Sequence, residues 1–384
     1  MPRLSNRWIR VGALWAALAI SGCSGGPESS FWRPAAKVDP VKAYVDAKEA
    51  LRQAAEDPAP VTRRAAMEAI GAVLGESGGG LLKQGLNDPN DEGVRFSAAM
   101  ALGEVRYLPA LPILREKAEM YTGERDKRVY CAVLYALYRM DDVSHLGDLA
   151  GMLIDERDPD VRAFAAQVFG KIGNPAAVSL LKKAQAVETS DRAKYNITEA
   201  LALLNDPPAE VLMESYARGY YIDLQLEAIP VLARQYSPDT VAILRELMEL
   251  RFPTRVRVRA AGALARLGQP SPEAYTLCAE AARNPGRFPL DREPSDRVAA
   301  PEGVASLQTL AAISLGWMGR QDALEVLTPL LHSPSGPVRV AAAMSVIRLL
   351  PDRRPAPVVR PAAPVSRPAP PPRPTSLESS GAKD

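Results

Sequence analysis

The chain has 384 residues and carries 47 basic and 45 acidic side chains, a formal net charge of +2 at pH 7. This balance leaves no excess of positive charge to bind a nucleic-acid backbone, so we predict no nucleic-acid partner. Two histidines and three cysteines are too few for most metal sites or for a disulfide framework, and we predict neither a metal nor another cofactor.

The first predicted element is an export signal over residues 1–22. Three arginines precede an uncharged apolar run at residues 11–20, and small residues follow it up to Cys23. Ten helical residues rise about 15 Å, half the thickness of a bilayer core, so this run is too short to span a membrane. An ordinary secreted protein that is cleaved nearby is the alternative interpretation.

The end of this signal, Ala-Ile-Ser-Gly-Cys at residues 19–23, resembles the lipobox of bacterial lipoproteins. The resemblance implies that Cys23 is acylated, becomes the new N-terminus and anchors the protein in the cell envelope, facing the periplasm. Two or more acyl chains give stable anchoring. Ser24 rather than Asp follows the cysteine, which by analogy with enteric bacteria favours the outer membrane. We predict a lipidated flexible tether over residues 23–39, because its first part is rich in glycine and serine.

The chain then repeats itself with a period near 32 residues. In every copy the positions four and eight residues after the anchor residue are apolar, and offsets 0, 4, 8 and 11 fall on one helix face. A fixed period of this length predicts stacked helical layers that bury their apolar faces against neighbouring layers. The nine anchors are Thr62, Val94, Val129, Val161, Ala193, Leu224, Val256, Leu307 and Val338.

Turns containing Gly, Asn or Pro follow most of these helices and predict a second helix in each unit. The predicted second helices are 108–120, 175–187, 208–218, 238–250, 272–283 and 322–331. A helix at 40–57 is expected to cap the first repeat.

One repeat resembles the HEAT-like repeats of the bilin-lyase type. Its Asp-Pro-Asp-Val-Arg at 158–162, Ala-Ala at 165–166 and Phe-Gly at 169–170 match that pattern, and the resemblance covers residues 57–350. It implies an all-α solenoid of about nine HEAT-like helix pairs that forms a curved superhelix over residues 40–350. At roughly 8 to 10 Å per layer, the expected shape is a rod about 70 to 90 Å long.

A cation follows the anchor directly in six of the nine copies. We predict that these side chains form ion pairs between repeats, as Arg162 would with the acidic turn residue Asp158. A basic stripe for an anionic partner is the alternative. The six residues are Arg63, Arg95, Arg162, Lys194, Arg257 and Arg339.

Two features outside the repeat pattern are candidates for binding a protein partner. The spacing of 51 between the seventh and eighth anchors indicates an insertion at 284–302, and insertions in solenoids project from one edge. A tolerated surface loop explains it equally well. The second feature is a cluster of tyrosines beside an arginine, a composition typical of interface hot spots, although packing against an adjacent helix also explains it. The candidates are Arg287, Phe288, Arg292, Arg297, Tyr216, Arg218, Tyr220 and Tyr221. A partner-binding cluster and packing against an adjacent helix are likewise the two interpretations of Tyr130, Tyr135 and Tyr138.

No catalytic constellation is recognisable. His145 and Asp148 are three residues apart without a third group, and Cys131 and Cys278 have the pattern of core residues. Residues 351–384 are rich in proline and arginine, which predicts a disordered extended tail. We therefore predict a non-enzymatic scaffold or adaptor with a protein partner and no small-molecule substrate. The alternative is an enzyme related to the bilin lyases, whereas export and the neutral charge argue against a DNA glycosylase of HEAT-like architecture.

Overall fold

The structure, a computed structural model, describes residues 37–120, 127–234, 237–288 and 301–350. All of them belong to one compact unit, Met1–Arg354. The predicted signal peptide, most of the tether, residues 289–300 of the insertion and the tail from residue 351 lie outside the described residues. No helix within the described ranges is long and apolar enough to cross a membrane.

The described residues form α-helices joined by turns and short 3-10 segments, without strands. The helices are α1 Pro40–Ala55, α2 Pro60–Leu74, α3 Gly79–Leu86, α4 Glu92–Val105, α5 Leu111–Met120, α6 Lys127–Arg139, α7 Leu146–Ile154, α8 Pro159–Ile172, α9 Val178–Val187, α10 Asp191–Leu203, α11 Pro207–Arg218, α12 Ile222–Leu232, α13 Pro238–Glu246, α14 Thr254–Arg266, α15 Pro272–Arg283, α16 Pro301–Trp317, α17 Leu324–Leu330 and α18 Gly336–Leu349.

The nine anchors lie one in each even-numbered helix, α2 to α18, which we call the anchor helices. The odd-numbered helices are the second helices, and each packs against the anchor helix that follows it along the chain. Four of them, α3, α7, α11 and α15, also pack against the preceding anchor helix. All nine residues four positions after an anchor, from Ala66 to Ala342, are 0% exposed. The prediction of an all-α repeat fold is therefore confirmed, and the alignment columns correspond to its core.

Some predicted helix ends are wrong. The helix predicted at 238–250 ends at Glu246, and Leu250 lies in the following turn with 84% of its surface exposed. Four second helices begin with a 3-10 segment, at Gly75, Leu108, Pro175 or Gln321, before the α-helix starts. A tighter first turn is common at helix ends and lets the chain change direction within few residues.

Glycine sets how closely anchor helices approach one another. The position nine residues after the anchor is Gly71, Gly103, Gly170 or Gly316 in four repeats. A Cβ atom at Gly103 or Gly170 would lie 2.8 Å from a backbone Cα of the next anchor helix. The four junctions with glycine have the most extensive contacts between anchor helices, whereas α10 and α12, joined through Ala202, pack most loosely. Glycine at this position thus permits the closest approach between anchor helices.

The cations that follow the anchors bind two turns at once. Arg63 donates through Nη1 to backbone carbonyls five and six residues earlier and through Nε to Asp88, at 2.7 Å, in the turn that follows α3. Arg162 repeats both contacts, with Nε 2.7 Å from Glu188 in the turn that follows α9. The predicted partner Asp158 is wrong, because Asp158 instead accepts from the Asp160 amide at the start of α8. The hydrogen bonds from Arg162, opposed by burial, lower the pKa of Glu188 to about 2.

The other cations that directly follow an anchor differ in their contacts. Arg95 donates to the carbonyl of Asp88 at 2.8 Å, and Arg257 donates to the carbonyl of Met248 at 3.1 Å. Lys194 is exposed. The contacts to carbonyls fix the turn against the first helical turn that follows it.

The anchor helices form a closed ring, because α18 packs against α2 as well as α16. A Cβ at Gly336 in α18 would overlap the Thr62 side chain in α2. The backbone amide of Lys37 also donates to Glu325, at 3.1 Å, across 288 positions of sequence. The expected shape, a curved rod about 70 to 90 Å long, is therefore wrong. The repeat units match the prediction, but their accumulated curvature joins the last unit to the first.

The helix expected as a cap, α1, completes the ninth unit. It packs between α18 and α2, as α3 packs between α2 and α4, and its residues Ala47 and Leu51 are fully buried. Arg339 in α18 donates to carbonyls five and six residues earlier and, through Nη2 at 2.8 Å, to Asp57 in the turn that follows α1. Asp57 thus accepts a hydrogen bond from Arg339, as Asp88 does from Arg63. Among the described residues, α1 thus takes the place of the second helix for α18.

Candidate functional site

Two adjacent tyrosines project from the turn between α11 and α12. Tyr220 and Tyr221 are 78% and 70% exposed, and their rings meet edge to face with centroids 6.0 Å apart. Helix α11 ends at Arg218, and Gly219 lets the chain leave it in an extended conformation. Large aromatic side chains held apart from the core in this way expose apolar surface and two hydroxyl groups together.

These tyrosines line an open groove of about 600 Å³, which we call the tyrosine groove. Its other wall is the turn between α13 and α14, where the Arg251 guanidinium lies 4.9 Å from the Phe252 ring centroid. Glu246 joins the two walls, accepting from Arg218 at 2.9 Å and from Arg251 at 2.7 Å. These hydrogen bonds, that of Arg218 first, lower the pKa of Glu246, so the carboxylate stays ionised. The groove residues are Arg218–Asp223, Gln225, Arg251–Pro253 and Arg255.

The sequence prediction located only one wall of this groove. It included Arg218 and both exposed tyrosines, but it missed Arg251 and Phe252. Phe252 follows Tyr220 by 32 residues, one repeat period, which places the two at equivalent turns of neighbouring units. Applying the period to the tyrosines would have found the second wall. Tyr216 lies elsewhere: it is half-buried and packs against Tyr195, with ring centroids 5.4 Å apart.

The ring also encloses an interior. Phe96 of α4 and Phe164 of α8 have ring centroids 4.8 Å apart, although α6 comes between their helices. Lys171 of α8 lies 3.8 Å from Glu104 of α4 across the same space. Side chains of helices that are not neighbours therefore meet inside the ring.

Where α10 and α12 separate, the interior widens into a cleft of about 960 Å³, the interior cleft. Burial, followed by the nearby Glu227 carboxylate, raises the pKa of Glu199 in this cleft to about 6. The hydroxyl of Tyr195 is buried there and has no hydrogen-bond partner among the described residues. A carboxyl that titrates near neutrality can bind or release a proton under physiological conditions.

Comparison with known proteins agrees with the repeat architecture. The model of HEAT repeats matches residues 48–121 and 118–202. Residues 48–202 are therefore similar to HEAT repeats. No curated protein matches it.

Two solved structures have low similarity to this chain. Human deoxyhypusine hydroxylase in complex with glycerol is 17% identical, with a TM-score of 0.35, over 73% of this chain and 99% of that one. The complex of CpcE and CpcF of phycocyanin lyase from a Nostoc species is also 17% identical, with a TM-score of 0.38, over 68% and 97% of the two chains. Neither similarity carries a functional inference.

The described part of the insertion after the seventh repeat packs against the ring. Arg287 pairs with Glu280 of α15 at 3.2 Å, and Phe288 is half-buried against the core. Arg292 and Arg297, the other two candidates in this insertion, lie outside the described residues. The structure brings none of the described insertion residues to the tyrosine groove.

The tyrosines of the third HEAT repeat have internal contacts. Tyr130 donates to Asp148 at 2.6 Å, and Arg139 donates to the hydroxyl of Tyr135 at 3.1 Å. Both tyrosines are buried, and Tyr138 is half-buried. Packing therefore accounts for this cluster.

The remaining reactive residues have unreactive surroundings. His145 lies 3.2 Å from Asp148 at the start of α7, and Asp148 also accepts from Tyr130. Burial raises the pKa of both Cys131 and Cys278 to about 12. Thiols with such pKa values contain almost no thiolate at neutral pH and are poor nucleophiles.

Proposed function

We propose that this HEAT-repeat protein is a non-enzymatic scaffold that binds a protein partner through the tyrosine groove. The observation that carries the proposal is the exposure of Tyr220 and Tyr221 over a groove flanked by Arg218 and Arg251. Tyrosine and arginine dominate interface hot spots because each combines apolar contact area with hydrogen bonding. Glu246 holds both arginines in place before any partner arrives, which lowers the entropy cost of binding.

The second part of the proposal is that a lipid on Cys23 anchors the scaffold in the bacterial envelope, facing the periplasm. The support is the sequence at residues 19–23 and the short apolar run before it. Fixing the scaffold to a surface raises the effective concentration of the groove for partners at the same membrane.

Photo-crosslinking tests the docking surface. With p-benzoylphenylalanine at Tyr220 of the full chain, produced in its native envelope, we expect one dominant crosslinked polypeptide, identified by mass spectrometry. The matched control is the same amino acid at Val187, which is 73% exposed at the end of α9. The additional change Arg251→Ala should reduce the adduct by about fivefold or more, since it removes a hot-spot residue worth about 1 kcal/mol or more. Equal adducts from Tyr220 and Val187 positions would count against the groove.

Membrane fractionation tests the anchor. We expect the native protein to sediment with membranes and to resist extraction by high salt, whereas Cys23→Ala should leave it unlipidated and absent from the salt-washed membrane. Two acyl chains hold a protein on a bilayer through the transfer of many CH₂ groups, at about 0.8 kcal/mol each, which salt does not weaken. Cys23→Ser is the conservative control, since it too lacks the thiol that accepts the lipid. If native and substituted proteins fractionate alike, the anchoring proposal is wrong and the docking proposal stands separately.

A further inference from the structure

Three arginines lie together where α12 and α14 face the ring interior. They are Arg234, just after the end of α12, and Arg259 and Arg266 of α14. Burial and then the charge of Arg266 lower the pKa of Arg259, and burial and then the charge of Arg234 lower that of Arg266. Each guanidinium thus lies within electrostatic range of another of the same sign.

The three side chains differ in their partners from cations such as Arg63, Arg162 and Lys171, each of which pairs with a carboxylate. In the part of the chain that the structure describes, none of the three forms an ion pair of this kind. Arg234 lies within electrostatic range of the Glu199 carboxylate, whereas no acidic group shifts the pKa of Arg259 or Arg266. Like charges held together without a counter-charge destabilise a fold unless something else compensates them.

Helix ends account for only part of this arrangement. Arg234 and Arg266 lie at the C-terminal ends of their helices, where the carbonyl groups favour a positive charge. Arg259 lies in the middle of α14, half-buried, where no helix end stabilises it. An unpaired guanidinium inside a fold therefore needs another explanation.

A small cavity of about 180 Å³ connects these arginines to a tryptophan. Arg259 and Arg266 line it, together with Trp317 of α16 and apolar residues such as Ile313, and its lining contains no acidic residue. The Arg266 guanidinium lies 5.3 Å from the Trp317 ring centroid, and Arg348 of α18 lies 4.1 Å from the same centroid. A guanidinium that packs on an aromatic ring keeps its N–H edge available for a planar anionic group.

We propose that this cluster, Arg234, Arg259, Arg266 and Trp317, binds a small organic or inorganic anion that carries at least two carboxylate or phosphate groups. One group lies between Arg259 and Arg266 in the cavity. Arg259 also lines the interior cleft of about 960 Å³, which has room for the rest of the ligand. The lining of this cleft carries the cations Arg192 and Lys194 as well as the carboxylates of Asp191, Glu199 and Glu227. Bidentate hydrogen bonds from arginine to such groups are among the strongest that proteins form. The proposal is independent of the tyrosine groove.

Intrinsic fluorescence provides the test, because Trp317 is part of the site. The full-length protein is titrated in detergent, at constant ionic strength, with inorganic pyrophosphate and in parallel with citrate. We expect a saturable change in emission with at least one of them, and we expect Trp317→Phe to remove it, which assigns the signal among the four tryptophans of the chain. Response to pyrophosphate alone identifies phosphate as the recognised group, and response to citrate alone identifies carboxylate. Either outcome, or both, supports the anion site.

The variants separate a site from general attraction of anions. Changing Arg259→Gln and Arg266→Gln together should raise the dissociation constant about tenfold or more, as expected for losing charge-assisted hydrogen bonds. Arg287→Gln, which alters an exposed arginine outside the cavity, should leave the dissociation constant unchanged. Calorimetry repeats the measurement without relying on Trp317. Three outcomes would overturn the proposal. The double variant and Arg287→Gln could weaken binding equally, or the double variant could bind as the native protein does. The third is no binding of either anion at about 10 mM, since affinities weaker than this fall below specific recognition.

Discussion

Deleting residues 40–57 is expected to abolish the cooperative unfolding of the repeat ring. The deletion removes α1 and with it the packing of Ala43, Ala47, Leu51 and Ala54, which are at most 2% exposed. Loss of one buried leucine costs about 2 to 5 kcal/mol and each buried methyl about 0.8 kcal/mol, so the expected loss is about 5 kcal/mol or more. That is comparable with the whole stability of a typical domain. Circular dichroism during heating, on the full-length and deleted chains, measures it.

A rearranged chain distinguishes the closed ring from an open stack with a cap. If α1 is the second helix of the ninth unit, it should work equally well when it follows α18. We therefore expect a chain that runs 58–350 and then, through a flexible linker of about ten glycine and serine residues, 40–57, to melt within a few degrees of the original order.

The closed ring and the open stack with a cap predict different effects of deleting α1. A terminal cap that covered only α2 would leave α18 unaffected by the deletion, and amide exchange in α18 would stay slow. In the closed ring, deletion removes Asp57, the partner of Arg339, and exposes α18 and α2 at once. Fast exchange confined to α2, with α18 still protected, would contradict closure.

The repeat and its core could be predicted from the sequence because both depend on local periodicity. The apolar columns of the nine copies are visible in the sequence, and every residue four positions after an anchor is fully buried. Closure could not be predicted in this way. It depends on a small rotation at each junction, summed over nine units, and no single junction reveals the sum.

The contact between Arg339 and Asp57 likewise could not be predicted from local periodicity. The pattern predicts an acidic partner about 26 residues after Arg339, because Asp88 follows Arg63 by 25 positions and Glu188 follows Arg162 by 26. Residues that far beyond Arg339 belong to the proline-rich tail. The missing acid is supplied from 282 positions earlier, which only the folded ring brings near.

The candidate sites also differ in whether the sequence alone could identify them. Tyr220 and Tyr221 could be found because their composition departs from the repeat, and Phe252 could have been found by adding one period. The interior arginines could not, since a cation at the tenth position after the anchor also occurs in repeats where it is paired, as Lys171 is with Glu104. Whether a charge is compensated depends on the residues opposite it, which belong to other helices.

The most direct test of how the helices are spaced is Gly170→Ala, which we expect to destabilise the protein. Alanine improves helix propensity by about 0.5 to 1 kcal/mol in a helix interior. Here the new Cβ would lie 2.8 Å from Cα of Ala200 and 3.1 Å from its Cβ, so α8 and α10 must move apart. Overpacking of this kind costs about 1 to 3 kcal/mol, which exceeds the gain in propensity.

Gly151→Ala in α7 is the matched control, because no atom lies within 4 Å of the added methyl group there. We expect this substitution to raise the free energy of unfolding by about 0.5 to 1 kcal/mol, the helix-propensity term alone. Denaturant unfolding of both variants against the native chain gives the comparison. Opposite signs would show that glycine at position 170 is required for the close contact between α8 and α10. Stabilisation by both changes would mean that α8 and α10 tolerate a wider spacing, and their close approach would then not depend on this glycine.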